Sequence, residues 1–354
     1  QNLATSAKGE HAMRVLVTGS TGFLGHYLCS RLLDLGHEVV GLSVWRDNDT
    51  RFTRPLAGRM THTLCDICDP AGLDTFFKKN GAFNWVFHLA GQSLISAAVD
   101  NPNWTYQVNA IGTQNLLTAM ARNDVRPKFI QLSSSSDVYG DVPEIKQPIR
   151  EWTGLGQVAY PTPLLADNPY AGSKLAMETI GRQFREKHGL NIVSTRLFTC
   201  CGPMQYDNSL LGYFSKQCAL MALGKTDRPP VIGCPSNRRS FIDVRDAVRA
   251  YTDLAQACTG ETVFFHEAVN VAGYEVWTVQ RIAHEFESLV LEEGREVEIP
   301  VDPAKARPKD KHVQIGSSGL LHEITGWAPE IPFVQTIRDS FNYWLSNYGG
   351  DARS

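Results

Sequence analysis

Tyr170-Ala-Gly-Ser-Lys174 is a Y-x-x-x-K pair. On a helix, positions four apart share a face, which sets an ammonium beside a phenol. A free phenol titrates near pH ~10, too high for easy proton exchange at neutral pH. A neighbouring cation favours phenolate and lowers that value. The pair is therefore a candidate proton donor or acceptor, with Lys174 as its tuning charge. A third group should hydrogen-bond the reacting oxygen, and Ser133-Ser-Ser-Ser-Asp-Val-Tyr-Gly140 offers Ser135, with Ser136 beside it. Asp137 adds a carboxylate to the same loop. Each feature alone has a structural explanation: a packed helix face, a polar loop, a loop-capping acid.

What strengthens them is a second cluster. Gly19-Ser-Thr-Gly22-Phe-Leu-Gly25 has the spacing G-x-x-G-x-x-G. The first two glycines allow a tight turn and close approach to a pyrophosphate, and the third lets helix and strand pack closely. The helix that follows would offer free N–H groups and a positive dipole end. Gly19, Thr21, Gly22, Phe23, Leu24 and Gly25 are thus the candidate dinucleotide turn. An acidic residue about 20 positions on would bind a ribose 2′-hydroxyl. Ser43 stands at that strand end instead, with Arg46 close by, a pairing that suits a 2′-phosphate and favours NADP(H) over NAD(H). Asp66 and Ile67 could reach the adenine. Leu89, Ala90 and Gln92 would line the ribose and nicotinamide side, and Lys174 could also hold the nicotinamide ribose. No metal site is expected, because Cys65-x-x-Cys68 has no second pair at zinc-ligand spacing.

These residues need a scaffold that alternates strands and helices. Arg14-Val-Leu-Val-Thr18 reads as a buried strand, His26 to Leu35 as a helix and His37 to Ser43 as the next strand. Strands at Asn84–Ala90, Lys128–Ser133 and Asn191–Phe198 alternate with helices at Tyr106–Ala121 and Ala171–Lys187. The pattern predicts an α/β, Rossmann-type doubly wound parallel sheet with a smaller α/β substrate-binding lobe. The expected nicotinamide-binding domain spans 13–201, with further elements near 240–275. Residues 202–350 form mainly the lobe, interleaved with the first domain, and 1–12 read as a tail or expression remnant. With 34 Lys+Arg against 37 Asp+Glu, the 354-residue chain lacks the basic excess of a nucleic-acid binder. No apolar run approaches the ~20 residues of a membrane span. Eight cysteines in a chain this long fit a reduced, cytoplasmic setting better than a disulfide scaffold.

Together, Gly19–Gly25, His88-Leu-Ala-Gly91, Asn109-Ala-Ile-Gly-Thr113, Ser135–Gly140, Tyr170–Lys174 and Arg196–Pro203 resemble the extended short-chain dehydrogenase/reductases that act on nucleotide sugars. The likeness runs from Arg14 to about Trp344. Arg238–Tyr251 and the segment Thr325–Phe333 look like those of GDP-4-keto-6-deoxymannose reductases. Related GDP-mannose 4,6-dehydratases carry a Gly-Gln-Asp-Gly turn, whereas this chain has Gly22-Phe-Leu-Gly25. The resemblance implies that Arg239 and Arg307 grip a diphosphate, a task suited to guanidinium forks. It also puts Gln205, Thr199, Ser136 and Asn109 on the substrate side, Asn109 as a polar group beside Lys174. A GDP-linked sugar substrate and a homodimer are implied, with neither nucleic acid nor membrane as partner.

The expected activity is NADPH-dependent reduction of a 4-keto(-6-deoxy) sugar nucleotide by Ser135, Tyr170 and Lys174. A 4,6-dehydratase with Asp137 as additional acid/base, or a 4-epimerase retaining NAD, would use much of the same set. A non-catalytic NADP-sensing protein is the remaining class, since fold alone does not fix function.

Overall fold

Strand and helix alternate from the first described residues, and apolar side chains fall on both sides of the central strands. In the computed structural model, residues 12–44, 51–52, 54–151, 162–258, 267–306 and 311–349 are described. Arg46 and Arg307 lie outside the described residues. The first unit is β1 (Arg14–Thr18), α1 (Phe23–Asp34) and β2 (Glu38–Ser43), followed by β3 (Thr61–Leu64), α2 (Pro70–Asn80) and β4 (Trp85–His88). Next come α3 (Ile95–Asp100), α4 (Pro102–Tyr106), α5 (Gly112–Arg122), β5 (Phe129–Ser135), α6 (Pro169–His188), β6 (Ile192–Leu197) and β7 (Thr199–Cys201). The rest comprises α7 (Leu210–Ala222), β8 (Arg238–Asp243), α8 (Val244–Ala257), β9 (Ala268–Val271), β10 (Val276–Thr278), α9 (Val279–Glu292), β11 (Val313–Gln314), α10 (Gly319–Thr325) and α11 (Phe333–Gly349).

The main sheet is parallel, with seven strands in the order β3-β2-β1-β4-β5-β6-β9. This is the doubly wound arrangement that the alternation predicts, and the order reverses between β1 and β4, where such folds bind ligands. Alternate side chains explain why both faces are covered. Val15, Val17, Trp85 and Phe87 pack with Leu28, Leu32, Tyr251 and Leu254 of α1 and α8. Leu16, Val40 and Val86 face the other way, against Leu73, Phe77, Leu116 and Met120 of α2 and α5. A separate core joins Phe214, Phe286, Phe341, Trp277 and Phe241 from α7, α9, α11, β10 and β8. That lobe holds the second sheet, in which β8 pairs with β7, β10 and β11.

One predicted element differs. The segment expected as a single helix from Tyr106 to Ala121 is α4, a π turn at Gln107–Ile111, and α5. A π turn accommodates an extra residue, and here it lets Asn109 point inward to bond Gln92 and Ser173. Among the described residues, no helix is long and apolar enough to cross a membrane.

Candidate active site

The turn between β1 and α1 is built for close approach. Gly19 has φ +71°, and a Cβ there would lie 2.7 Å from the backbone nitrogen of Ala90. A Cβ on Gly25 would meet the Gly19 carbonyl oxygen at 2.2 Å, so strand and helix can approach only as glycines. Gly22 is different: among the described residues, the only neighbour within 4 Å of a Cβ is that same oxygen, at 3.4 Å. No side chain caps the start of α1 at Gly22. An uncapped helix start under an open glycine turn fits the pyrophosphate of a dinucleotide. Thr21 is buried in this turn, and Phe23 and Leu24 are half-buried.

At the end of β2, the Ser43 hydroxyl is hydrogen-bonded to the His62 ring at 2.8 Å. Asp66 accepts the Cys68 backbone N–H at 2.8 Å, which fixes its carboxylate at the end of β3. The Ile67 side chain, expected near the adenine, is instead buried in the core against Gly112 of α5. Any contact it makes there is through its backbone. His88 is hydrogen-bonded to Thr18 at 2.7 Å and Thr113 at 2.9 Å. Burial, with the Lys174 charge nearby, pushes it down to about 3, so it is a neutral strut beneath Leu89 and Ala90.

Ser135, Tyr170 and Lys174 converge. Ser135 ends β5 and caps the 3-10 turn Ser136–Tyr139, its Oγ accepting the Asp137 N–H at 3.1 Å. Asn168 caps α6 by accepting the Ala171 N–H at 3.0 Å, with Pro169 in the first turn. That capping fixes Tyr170 at the helix start and Lys174 one turn on. The three side chains are buried, residues 135, 170 and 174 being 8%, 8% and 6% exposed. The Lys174 Nζ donates to the Ser133 carbonyl at 2.7 Å and sits 5.9 Å from the Tyr170 ring centroid. It also lies under the loop after β4, because a Cβ on Gly91 would be 3.4 Å from it.

The direction of the phenol's titration is opposite to the sequence-based expectation. Burial pushes Tyr170 well above the usual phenol range; the Asp137 charge adds to this, and a hydrogen bond with Ser135 opposes it. Burial likewise lowers Lys174 to about 8, against the pull of Glu178. For both groups desolvation is the largest cause. At neutral pH the phenol therefore carries its proton, the state a general acid needs.

Substrate-side candidates separate into those the structure leaves a surface and those it does not. Asn109 is 1% exposed. It accepts from Gln92 N at 2.7 Å and donates to Gln92 O and Ser173, both at 2.9 Å. It clasps α6 to the β4 loop and has no group left for a sugar. Ser136 is buried too, accepting from the Gln314 amide at 3.0 Å. Gln92 donates to the Leu94 carbonyl at 2.6 Å. Thr199 opens β7 beside Phe241 of β8. Gln205 donates to the Cys200 carbonyl at 3.0 Å, and its buried Oε1 has no hydrogen-bond partner among the described residues. Arg239 lies on β8 opposite Gln314 in register.

Arg196, which opens the Arg196–Pro203 stretch, is a brace. It pairs with Glu178 at 2.7 Å, each side chain being 9% exposed, and donates to the Tyr139 hydroxyl at 2.9 Å. Glu178 also accepts from Ser134 at 2.5 Å, so the pair holds β5, β6 and α6 together behind Ser135. Periodicity gives no sign of this pairing, nor of Lys311, whose ammonium lies 2.7 Å from Asp137.

A doubly wound sheet with a glycine turn at its switch point, facing a Ser-Tyr-Lys constellation, defines an NAD(P)-dependent enzyme of the extended short-chain dehydrogenase/reductase class. The sequence model of the family described as GDP-mannose 4,6 dehydratase matches residues 16–340, and the chain belongs to that family. It is 32% identical over 334 residues to a GDP-6-deoxy-D-mannose reductase of Pseudomonas aeruginosa, covering 94% of this chain and 97% of the relative. The structure of RMD from Pseudomonas aeruginosa complexed with NADPH superposes with a TM-score of 0.77 at 28% identity, covering 95% of this chain and 100% of that one. A Thermus thermophilus UDP-glucose 4-epimerase complexed with NAD gives a TM-score of 0.76 at 26% identity, covering 94% and 99%.

Proposed function

We propose that the protein reduces a 4-keto-6-deoxy sugar nucleotide, GDP-linked, with NADPH. What carries this reading over its alternatives is the likeness to the Pseudomonas aeruginosa GDP-6-deoxy-D-mannose reductase along nearly the whole of both chains. The nicotinamide, when bound, supplies the hydride. Tyr170, buried and protonated, gives its proton to the carbonyl oxygen as charge develops there. Ser135 turns its hydroxyl to the same oxygen, and Lys174, anchored on Ser133, offers a positive charge that favours the phenolate left behind. The glycine turn and the start of α1 hold the pyrophosphate, and Leu89 and Ala90 line the ribose side.

Ser43 and Arg46 are the groups we assign to the 2′-phosphate, and the likeness to an NADPH-bound structure supports that choice. Asp66 faces the adenine in this reading. Arg239 and Arg307 take the diphosphate. The buried Oε1 of Gln205, without a partner among the described residues, is suited to a donor on the nucleotide or sugar. A homodimer through the helices that carry Asn109 and Tyr170 finds support in the exposure of Trp104, Tyr106 and Ile111 on the first of these segments.

A 4-epimerase is the second reading, supported by the likeness to the Thermus thermophilus enzyme. Asp137 is less suited to dehydratase chemistry, since its two carboxylate oxygens already hold Lys311 and Ser135. Absorbance at the reduced-nicotinamide band separates the three. A reductase consumes one NADPH per 4-keto sugar nucleotide, whereas an epimerase or dehydratase turns over with no net change.

A further inference from the structure

Lys311 belongs to no sequence motif, yet it closes a chain of hydrogen bonds that ends on Ser135. Its Nζ lies 2.7 Å from Asp137 Oδ1, with side chains 10% and 18% exposed. Asp137 Oδ2 accepts the Ser135 hydroxyl at 3.0 Å, and Ser135 is near enough to Tyr170 to favour its phenolate. Three residues on, Gln314 donates to Ser136 at 3.0 Å. Gln314 sits on β11, which runs parallel to β8 with Gln314 opposite Arg239. One segment thus joins the catalytic turn at two adjacent residues and joins the strand that carries Arg239.

A serine hydroxyl has one proton to donate. A carboxylate beside it competes for that proton with a carbonyl oxygen, and an ionised acceptor wins over a neutral one. An ammonium on the far oxygen of the carboxylate changes the contest. It takes up part of the negative charge, fixes the rotamer, and weakens the hold on the serine. Because both partners are mostly buried, water does little to screen this effect.

We propose that Lys311 is a positioning residue: by pairing with Asp137 it releases the Ser135 hydroxyl to the substrate oxygen and keeps the carboxylate from acting on the sugar. The inference rests on the Ser135-Tyr170-Lys174 reading above. It gives Asp137 the role of a restrained neighbour, with Lys311 as the restraint.

The test compares wild type, Lys311→Met, Lys311→Arg, Asp137→Asn and the Asp137→Asn/Lys311→Met double variant. NADPH oxidation is followed with a GDP-linked 4-keto-6-deoxy sugar, and NADPH affinity is measured by fluorescence. Lys311→Met should lower kcat about 10-fold, the size of one hydrogen bond to a charged group. KM and NADPH affinity should stay within about threefold, and Lys311→Arg should keep most of the turnover. The double variant should perform like Asp137→Asn alone, because an uncharged amide no longer needs restraint. A tether that only joins the segment to the turn would give no such suppression. Loss of turnover in the double variant equal to that in Lys311→Met, loss confined to KM and NADPH affinity, or no loss at all would each overturn the proposal while leaving the reductase reading intact. A wild-type enzyme that leaves NADPH unoxidised with the 4-keto sugar would overturn that reading and this inference with it.

Discussion

The Lys174 ammonium donates to the carbonyl of Ser133 at 2.7 Å, on the strand that delivers Ser135 two residues later. The charge that would stabilise a phenolate and the hydroxyl that would hold the substrate oxygen are therefore fixed to one another through β5. Small displacements of a catalytic group are costly in rate, and this anchoring, together with the Asn168 cap on α6, restricts them.

Replacement of Tyr170 by Phe removes the acid and keeps the ring. Turnover should fall by at least ~100-fold, the lower end for general acid–base catalysis. Steady-state NADPH oxidation measures it, and fluorescence titration should show nearly unchanged NADPH affinity. Turnover within a fewfold of wild type would remove Tyr170 from the chemistry.

The pH profile follows from two opposite shifts. Burial holds the Tyr170 phenol above its usual range and lowers Lys174 to about 8. Reduction needs the phenol protonated and the lysine charged, so the alkaline limb belongs to Lys174. Hence kcat/KM should fall about tenfold per pH unit above pH ~8. Stability changes with the opposite sign. An unfolded lysine keeps its proton up to about 10.5 and the native one releases it near 8, so between those values the unfolded chain binds more protons. The penalty for burying the charge is full below pH 8 and is relieved as pH rises through that window. Relative to Lys174→Met, wild type should gain up to ~1.4 kcal/mol per pH unit there. Urea titrations at several pH values give the difference, and a flat one would contradict the account.

Cofactor preference is tested by Arg46→Ala. The change should weaken NADPH more than NADH, because only the former carries a 2′-phosphate for a guanidinium to meet. Equal effects on both, measured by fluorescence titration, would mean that the phosphate is recognised elsewhere.

The Arg196–Glu178 pair makes a stability prediction separate from the chemistry. Arg196→Met would leave Glu178, and with it Ser134, around an uncompensated buried carboxylate. Removing one partner of such a pair costs roughly 3–5 kcal/mol. A urea midpoint that moves by less than about 1 kcal/mol equivalent would show the pair to be open to water.

Much of the scaffold and the core of the site were legible in the residues. Val15, Leu16 and Val17 announce a strand buried on both faces, and the glycines that follow can be read as a turn because only a residue without Cβ fits there. Tyr170 and Lys174 are legible as a pair through local helix geometry. The remainder depends on contacts far apart in the chain. Lys311 lies 174 residues from Asp137, and nothing local distinguishes it from a solvated lysine. The π turn at Gln107–Ile111 follows from where Asn109 finds its partners, which propensity does not encode. The phenol's shift is hidden from the sequence for a related reason. Local spacing reveals a neighbouring charge, whereas burial, the largest cause of the shift, is a property of the whole fold.

The central claim is that Tyr170, Ser135 and Lys174 deliver a proton to a sugar carbonyl as a hydride arrives at its carbon. It is tested most directly with NADPH deuterated at the transferred C4 position and a GDP-linked 4-keto-6-deoxy sugar. The account predicts one deuterium on sugar C4 per NADPH oxidised by wild type, and almost none in the same time with Tyr170→Phe. Product formed without deuterium at that carbon, or formed as quickly by the variant, would contradict it.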